Sequence, residues 1–420
     1  MEKLLILMIV VMLLVLIKVL KQDMLSPASI NLCWNAFFLL GAIVIFGEGI
    51  DWKYEGIWWI VASCGVCLIG QFIGSAICLR DVGQRYGTMI GKRNYVYLML
   101  VVIILLGLFN PLIYLNAFGY SVSDIFNIHA LLQLNTEVAY DRYYAHRFNA
   151  PSIMTVLSII IYMGALIGGY TFVIAKKAAG KIISLLTMIP ILMLAIITNA
   201  KVGVIACVFL WIIGWCVHSL NIKRDGDLLS KKIIWIGICI AVLGIIFLDL
   251  TMLLRIGSID HETQLIVNQK LQEYAFGQVQ AFSLWFHKRG NESLELGTNT
   301  YMFITNWLGL TARKQGVYDL MPGVASNIYT QNRGIIADFG VIGGLVYWTF
   351  VGFVSGVVYK KVKSGSHNCI FSKVLLSAIY FMILYGFIIS PWIYSSYVLA
   401  FVGYAIFLVI LNKFKFSFKR

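Results

Sequence analysis

Tyr95-Val-Tyr-Leu-Met-Leu-Val-Val-Ile-Ile-Leu-Leu-Gly-Leu-Phe-Asn-Pro-Leu-Ile-Tyr-Leu115 holds no charged residue over 21 positions. About 20 apolar residues in an α-helix, rising about 1.5 Å each, cross the roughly 30 Å hydrocarbon core of a bilayer. Comparable runs recur at 4–20, 29–47, 57–79, 152–175, 182–199, 202–219, 233–254, 339–359, 374–390 and 395–412. The chain therefore reads as an all-α, polytopic helical membrane protein with about eleven transmembrane helices, one integral membrane domain over 1–420. The first run follows only Met1-Glu-Lys and precedes no small-residue cleavage site, so it reads as a retained span, not a signal peptide.

Composition agrees. Of the 420 residues 60% are hydrophobic and only 12% are Asp, Glu, Lys or Arg, against about 25% in a soluble domain. That excludes a soluble globular enzyme, a disordered chain and a disulfide-stapled secreted module. The net charge of +14 suggests an acidic partner until it is sorted by loop. Alternate loops, from Lys18 and Lys21 to Lys413, Lys415, Lys419 and Arg420, hold 21 bases and four acids; the others hold 12 bases and 15 acids. By the positive-inside rule the N-terminus is outside and the C-terminus is cytoplasmic. The surplus thus records topology and does not signal nucleic acid.

Several chemistries have no signature here. There is no GxxxxGK[ST] loop, no HExxH and no EF-hand. Cys64-Gly-Val-Cys67 spells CxxC inside an apolar run, where small packing residues are the plain reading. External loops carry no cysteine, so neither a disulfide nor a zinc cluster is expected there. Apart from Asp249 the spans are nearly free of ionisable groups, which argues against an ion-coupled pump. Gly164 and Gly168, like Gly352 and Gly356, permit close helix contacts.

Two external segments are long, 116–151 and 255–338, and long ordered loops usually carry function. In 264–289, Val267, Leu271, Ala275, Val279, Phe282 and Phe286 recur at helical spacing. This predicts an amphipathic helix on the membrane or on the bundle. Residues 300–309 suggest a second. The aromatics Tyr274, Phe276, Trp285, Tyr301, Trp307, Tyr318 and Tyr329 suit either sugar rings or interface anchoring. Cations concentrate outside against the general trend: Arg142, Arg147, Lys201, Arg255, Lys270, Lys288, Arg289, Arg313, Lys314 and Arg333. Such groups suit a phosphate-bearing ligand at the membrane surface, or a structural role. Candidate proton-transfer groups are Asp260-His261-Glu262 and Asp338, then Glu137, Asp141 and His146.

Three further stretches carry a resemblance: Leu25-Ser-Pro-Ala-Ser-Ile30, Thr198-Asn-Ala-Lys201, and Asn327-Ile-Tyr-Thr-Gln-Asn-Arg-Gly-Ile-Ile-Ala-Asp-Phe-Gly-Val-Ile-Gly-Gly344. In the last, a polar loop re-enters the membrane through Asp-Phe-Gly. With its ten-odd helices and large external loop, the chain resembles bacterial O-antigen polymerases, the Wzy-type oligosaccharide repeat-unit polymerases. Some of these carry Arg-x10-Gly in each of two periplasmic loops. Arg333 and Gly344 fit that spacing; Arg142 and Arg147 meet Ile153 and Ser158 instead. Lys201 stands where related lipid-linked glycosyltransferases more often have Arg.

The resemblance implies a lipid-linked glycosyltransferase-like fold in the bacterial inner membrane, with a periplasmic N-terminus. The implied reaction moves a growing glycan from undecaprenyl diphosphate onto an undecaprenyl-diphosphate-linked repeat unit, in lipopolysaccharide O-antigen synthesis. It needs no metal or cofactor. Its partners are the lipid-linked donor and acceptor, membrane lipids and a chain-length regulator. Implied diphosphate ligands are Arg142, Arg147, Lys201, Arg255, Arg313 and Arg333. The base is sought among His261, Glu262, Asp338 and Asp260, and sugar stacking among Trp285, Tyr301, Trp307 and Tyr329. The rival readings are an O-antigen ligase and a lipid-linked oligosaccharide flippase.

Overall fold

The computed structural model describes residues 2–20, 22–46, 52–77, 93–141, 151–222, 244, 246, 249, 252–253, 261–290, 293–311, 318, 326, 328–365 and 369–416. Among these there are helices and turns and no strands. Among the described residues eight helical stretches are long and apolar enough to cross a membrane. In lipid only a helix or a closed barrel satisfies every backbone N–H and C=O, so this chain is a polytopic helical membrane protein. Of the other expected spans, Glu2–Val19 is a helix bearing Glu2, Lys3 and Lys18, and Ile370–Tyr385 is a shorter apolar helix. The expected span at 233–254 lies almost wholly outside the described residues.

The chain packs as two compact units, Met1–Gln84 with Lys270–Ser395, and Arg85–Gln269 with Ser396–Arg420. The first contains α1 (Glu2–Val19), α2 (Pro27–Phe46) and α3 (Tyr54–Ile77). Its centre is a glycine crossing. A Cβ on Gly70 or Gly74 would strike the Thr349 or Phe353 carbonyl oxygen, and one on Gly352 or Gly356 the Cys67 or Gln71 carbonyl. Two glycine pairs spaced by four thus bring the two backbones into contact. Beside the crossing, buried Gln71 accepts from the Ala28 amide at 2.8 Å and donates to Ser26 Oγ at 2.7 Å. Tyr380 donates to the Leu25 carbonyl at 2.5 Å, and Lys363 bonds Asp23 at 2.7 Å. The Leu25–Ile30 stretch is therefore a packed helix start, held by side chains from two other helices.

In the second unit lie α4 (Arg93–Ala117), α5 (Ile128–Tyr140), α6 (Ser152–Ile174), α7 (Ala178–Leu186), α8 (Ile189–Thr198) and α9 (Lys201–Ile222). The span expected at 182–199 is broken at Thr187-Met188, where Pro190 opens α8. Proline has no N–H to continue the ladder. Gly169 and Gly214 again let backbones meet, each facing a carbonyl of the other helix, Trp211 and Leu166. Within segment 116–151 the described residues form a short 3₁₀ turn and α5. Asn127 caps α5, and Leu134 and Val138 bury against Leu115 and Ile197.

Segment 255–338 supplies α10 (His261–Lys288) and the short α11 (Met302–Trp307). From Val279 onward α10 packs on the bundle of the first unit. Phe282 lies 6.1 Å from Trp59, and Gly56 leaves just enough room for Ser283 and Phe286. Next come α12 (Thr330–Lys363), α13 (Ile370–Tyr385) and, in the second unit, α14 (Ser395–Phe416).

Candidate functional site

The segment α12 is two helices. Gly340 has φ 77° and ψ 175°, a conformation open essentially only to glycine. Trp348 Nε1 bonds Asn332 Oδ1 at 3.1 Å. A straight helix would hold those residues about 24 Å apart. The chain thus folds back at Gly340, and the half-helix 330–339 runs antiparallel to the span that follows. Gly344 on the returning arm faces Trp59 and Ile335; a Cβ there would lie 2.7 Å and 3.4 Å from them. The Arg333–Gly344 spacing therefore has a geometric meaning: the arginine is on one arm of a hairpin, and the glycine on the other makes room for Trp59 of α3.

Arg333 stands in the first turn of the half-helix. Its guanidinium carbon lies 4.1 Å from the Tyr318 ring centre, 4.3 Å from Tyr329 and 5.4 Å from Trp285. Each such contact is worth about 0.5–2 kcal/mol, more as water is excluded. Burial pushes the Tyr318 hydroxyl well above its ordinary value, so this wall of the cage stays neutral. Arg333 is partly exposed as a residue, but its Nη1 is buried within the cage. Arg289 lies 5.9 Å from the same Trp285 ring, giving that indole a second guanidinium. Arg289 was not among the expected diphosphate ligands. Its signal was the four-residue step from Trp285, one helical turn.

Asp338 does other work than that expected of a base. It is fully buried, and its carboxylate accepts from Asn299 N at 3.0 Å, Asn299 Nδ2 at 2.9 Å and Thr300 N at 2.6 Å. It clamps the turn 296–300 onto the half-helix. The left-handed Leu296 and Gly297 shape that turn. His261 and Glu262 are exposed in the first turn of α10, within the second unit. Asp260 lies outside the described residues.

Of the expected cations besides Arg333, Lys201 opens α9 just after Asn199, which is left-handed at φ 53°. Arg142, Arg147, Arg255 and Arg313 lie outside the described residues. The aromatics divide. Trp285 and Tyr329 are buried and belong to the Arg333 cage, so as arranged they support a cation and are not open platforms for sugar. The buried packing of α10 and of Thr330 onward accounts for this. Tyr301 is half-buried and bonds Tyr347 at 3.0 Å. Trp307 remains 79% exposed and is the one of the four with a free ring.

A second feature touches the same half-helix. Its N-terminal residues Thr330, Gln331 and Asn332 line a cavity with Asn31, Asn35 and Gln278. Thr330 has φ 64°, an outlier for a β-branched residue, of the kind retained at functional sites. Gln331 fits because Gly386 has no side chain.

Fold and site together define a multi-pass helical membrane protein whose first unit holds a caged arginine on a helical hairpin. Compared with family models, curated proteins and solved structures, the chain gives no match.

Proposed function

We propose that the chain is an O-antigen polymerase, a metal-independent glycosyltransferase acting at the periplasmic face of the bacterial inner membrane. The observation that carries this reading is Arg333, caged on a hairpin that turns at Gly340 and carries Gly344 on its other arm. Three rings orient this cation at the motif the family resemblance singles out.

In the reaction an acceptor hydroxyl of the new repeat unit attacks the anomeric carbon of the growing glycan. The bond from that carbon to the diphosphate oxygen breaks, and undecaprenyl diphosphate leaves with the electron pair. The hydroxyl proton passes to a general base. Arg333, joined by Arg289 across Trp285, stabilises the charge that develops on the diphosphate. Fixed guanidinium forks suit that leaving group better than flexible point charges.

The test is the glycan ladder of a strain lacking this chain. A ladder collapsed to core plus one repeat unit is expected. Bare core would make it a ligase, and an unchanged ladder would overturn the reading.

A further inference from the structure

Among the described residues no ionisable side chain lines the cavity beneath the half-helix. Its polar lining is made of neutral amides and a hydroxyl, from Asn31, Asn35, Gln278, Thr330, Gln331 and Asn332. An apolar guest would leave these groups without partners, and an ion would meet no counter-charge. A neutral group that donates and accepts hydrogen bonds satisfies them.

Gln278 points to such a guest. The residue is 1% exposed, and its Nε2 donates to the Ala275 carbonyl at 3.3 Å. Its buried Oε1 has no hydrogen-bond partner among the described residues. A buried acceptor left unmet calls for a donor. Other lining groups are already engaged: Asn332 Oδ1 by Trp348, Gln331 Nε2 by the Met382 carbonyl at 3.2 Å. The free space is that of about one water molecule. That is the size of a hydroxyl, not of a ring. On the α2 side the cavity is walled by Trp34, Phe38 and Phe387, with Trp34–Phe38 and Phe38–Phe387 centroids 4.9 and 5.0 Å apart. Trp34 is partly exposed, an apolar face of the kind that sugar C–H groups rest on.

We propose that this cavity is a specificity subsite that receives one uncharged hydroxyl of a glycan, which donates its hydrogen bond to Gln278 Oε1. The inference rests on the polymerase reading for the identity of the glycan. It is independent of Arg333, whose partner is the diphosphate.

The experiment uses the full chain in lipid nanodiscs and two soluble probes. One is the repeat-unit oligosaccharide of the source strain, hydrolysed from its lipid diphosphate; the other is inorganic pyrophosphate. Titration calorimetry should show the oligosaccharide binding wild type and weakened by about tenfold in Gln278→Met and in Asn35→Leu, the scale of one lost hydrogen bond. Pyrophosphate binding should persist in both variants, which also reports that they fold. Arg333→Ala should show the converse pattern. Oligosaccharide affinity equal in wild type and both variants, or absent from wild type, overturns the subsite and leaves a cavity holding a water only. A strain that keeps its ladder without this chain removes the polymerase reading, whereas Gln278-dependent glycan binding would still stand.

Discussion

The Trp348 indole donates to Asn332 at 3.1 Å across sixteen residues of one helical segment, which ties the two arms of the hairpin together. Everything at the candidate site depends on that reversal. Arg333, Asp338 and the cavity residues Thr330, Gln331 and Asn332 all sit on the shorter arm.

The reversal itself rests on Gly340, with φ 77° and ψ 175°. Gly340→Ala should cost of the order of 1–3 kcal/mol in backbone strain. The thermal unfolding midpoint of the purified protein should fall accordingly, and glycan chains should shorten. An unchanged midpoint would mean that the arms do not need this conformation.

The glycine crossing gives a sharper structural test. Gly352→Val would drive a side chain into the Cys67 carbonyl, so α3 and α12 must part. Overpacking of this kind typically costs about 1–3 kcal/mol, and more against backbone, which cannot rotate away. The same change at Gly119, where a Cβ meets nothing within 4 Å, tests only its left-handed φ of 76°. The first variant should reach the membrane at much lower levels than the second.

These positions also mark what the sequence can and cannot tell. Apolar runs locate the helices because lipid leaves the backbone no other partner, and Arg-x10-Gly does point to the hairpin. Gly70 and Gly74 repeat the spacing noticed at Gly352 and Gly356, so their crossing was readable in hindsight. Asp338 was not readable. A carboxylate beside a membrane border looks the same whether it faces substrate or, as here, three N–H donors from a turn 39 residues earlier. Trp285 and Tyr329 misled for a related reason. Aromatic type does not reveal whether a ring faces sugar or cation, and only long-range packing decides it. Asn31 and Asn35, one turn apart in an apolar run, were the overlooked sign of a polar cavity.

Arg333→Ala should reduce polymerisation by about 10²–10³, the usual loss when one preorganised stabilising group is removed. Its readout is the glycan ladder at matched membrane levels. Arg333→Lys should recover little, since Lys lacks the planar fork that three rings hold. The cage separates from the cation by Tyr318→Phe, which keeps the ring face, and Tyr318→Leu, which removes it. Near-normal chains in the first and short chains in the second are expected. Short chains in both would shift the role of Tyr318 to its hydroxyl.

His261→Ala and Glu262→Ala divide the base assignment. Loss of one general base lowers rate by about 10²–10⁴. Both residues are exposed in the first turn of α10, so neither change should alter stability by more than about 0.5 kcal/mol. Full activity in both variants would move the base to a residue outside those described, with Asp260 the nearest.

The Asp23–Lys363 pair predicts how acid acts on the first unit. Burial pushes the Asp23 carboxyl up, but Lys363 at 2.7 Å, Tyr359 and the Leu25 amide outweigh it and hold the group below its ordinary 3.8. A carboxyl whose folded pKa is depressed favours the folded state wherever it is ionised. Its contribution is complete above the ordinary value and fades as pH falls through the lower folded value. Asp23→Asn should therefore destabilise the protein at neutral pH, and the gap from wild type should close only below pH 3.8. Unfolding midpoints of both proteins across that range measure it. A gap that closed well above pH 3.8 would assign the acid sensitivity to another group, because Asp23 would still carry its charge there.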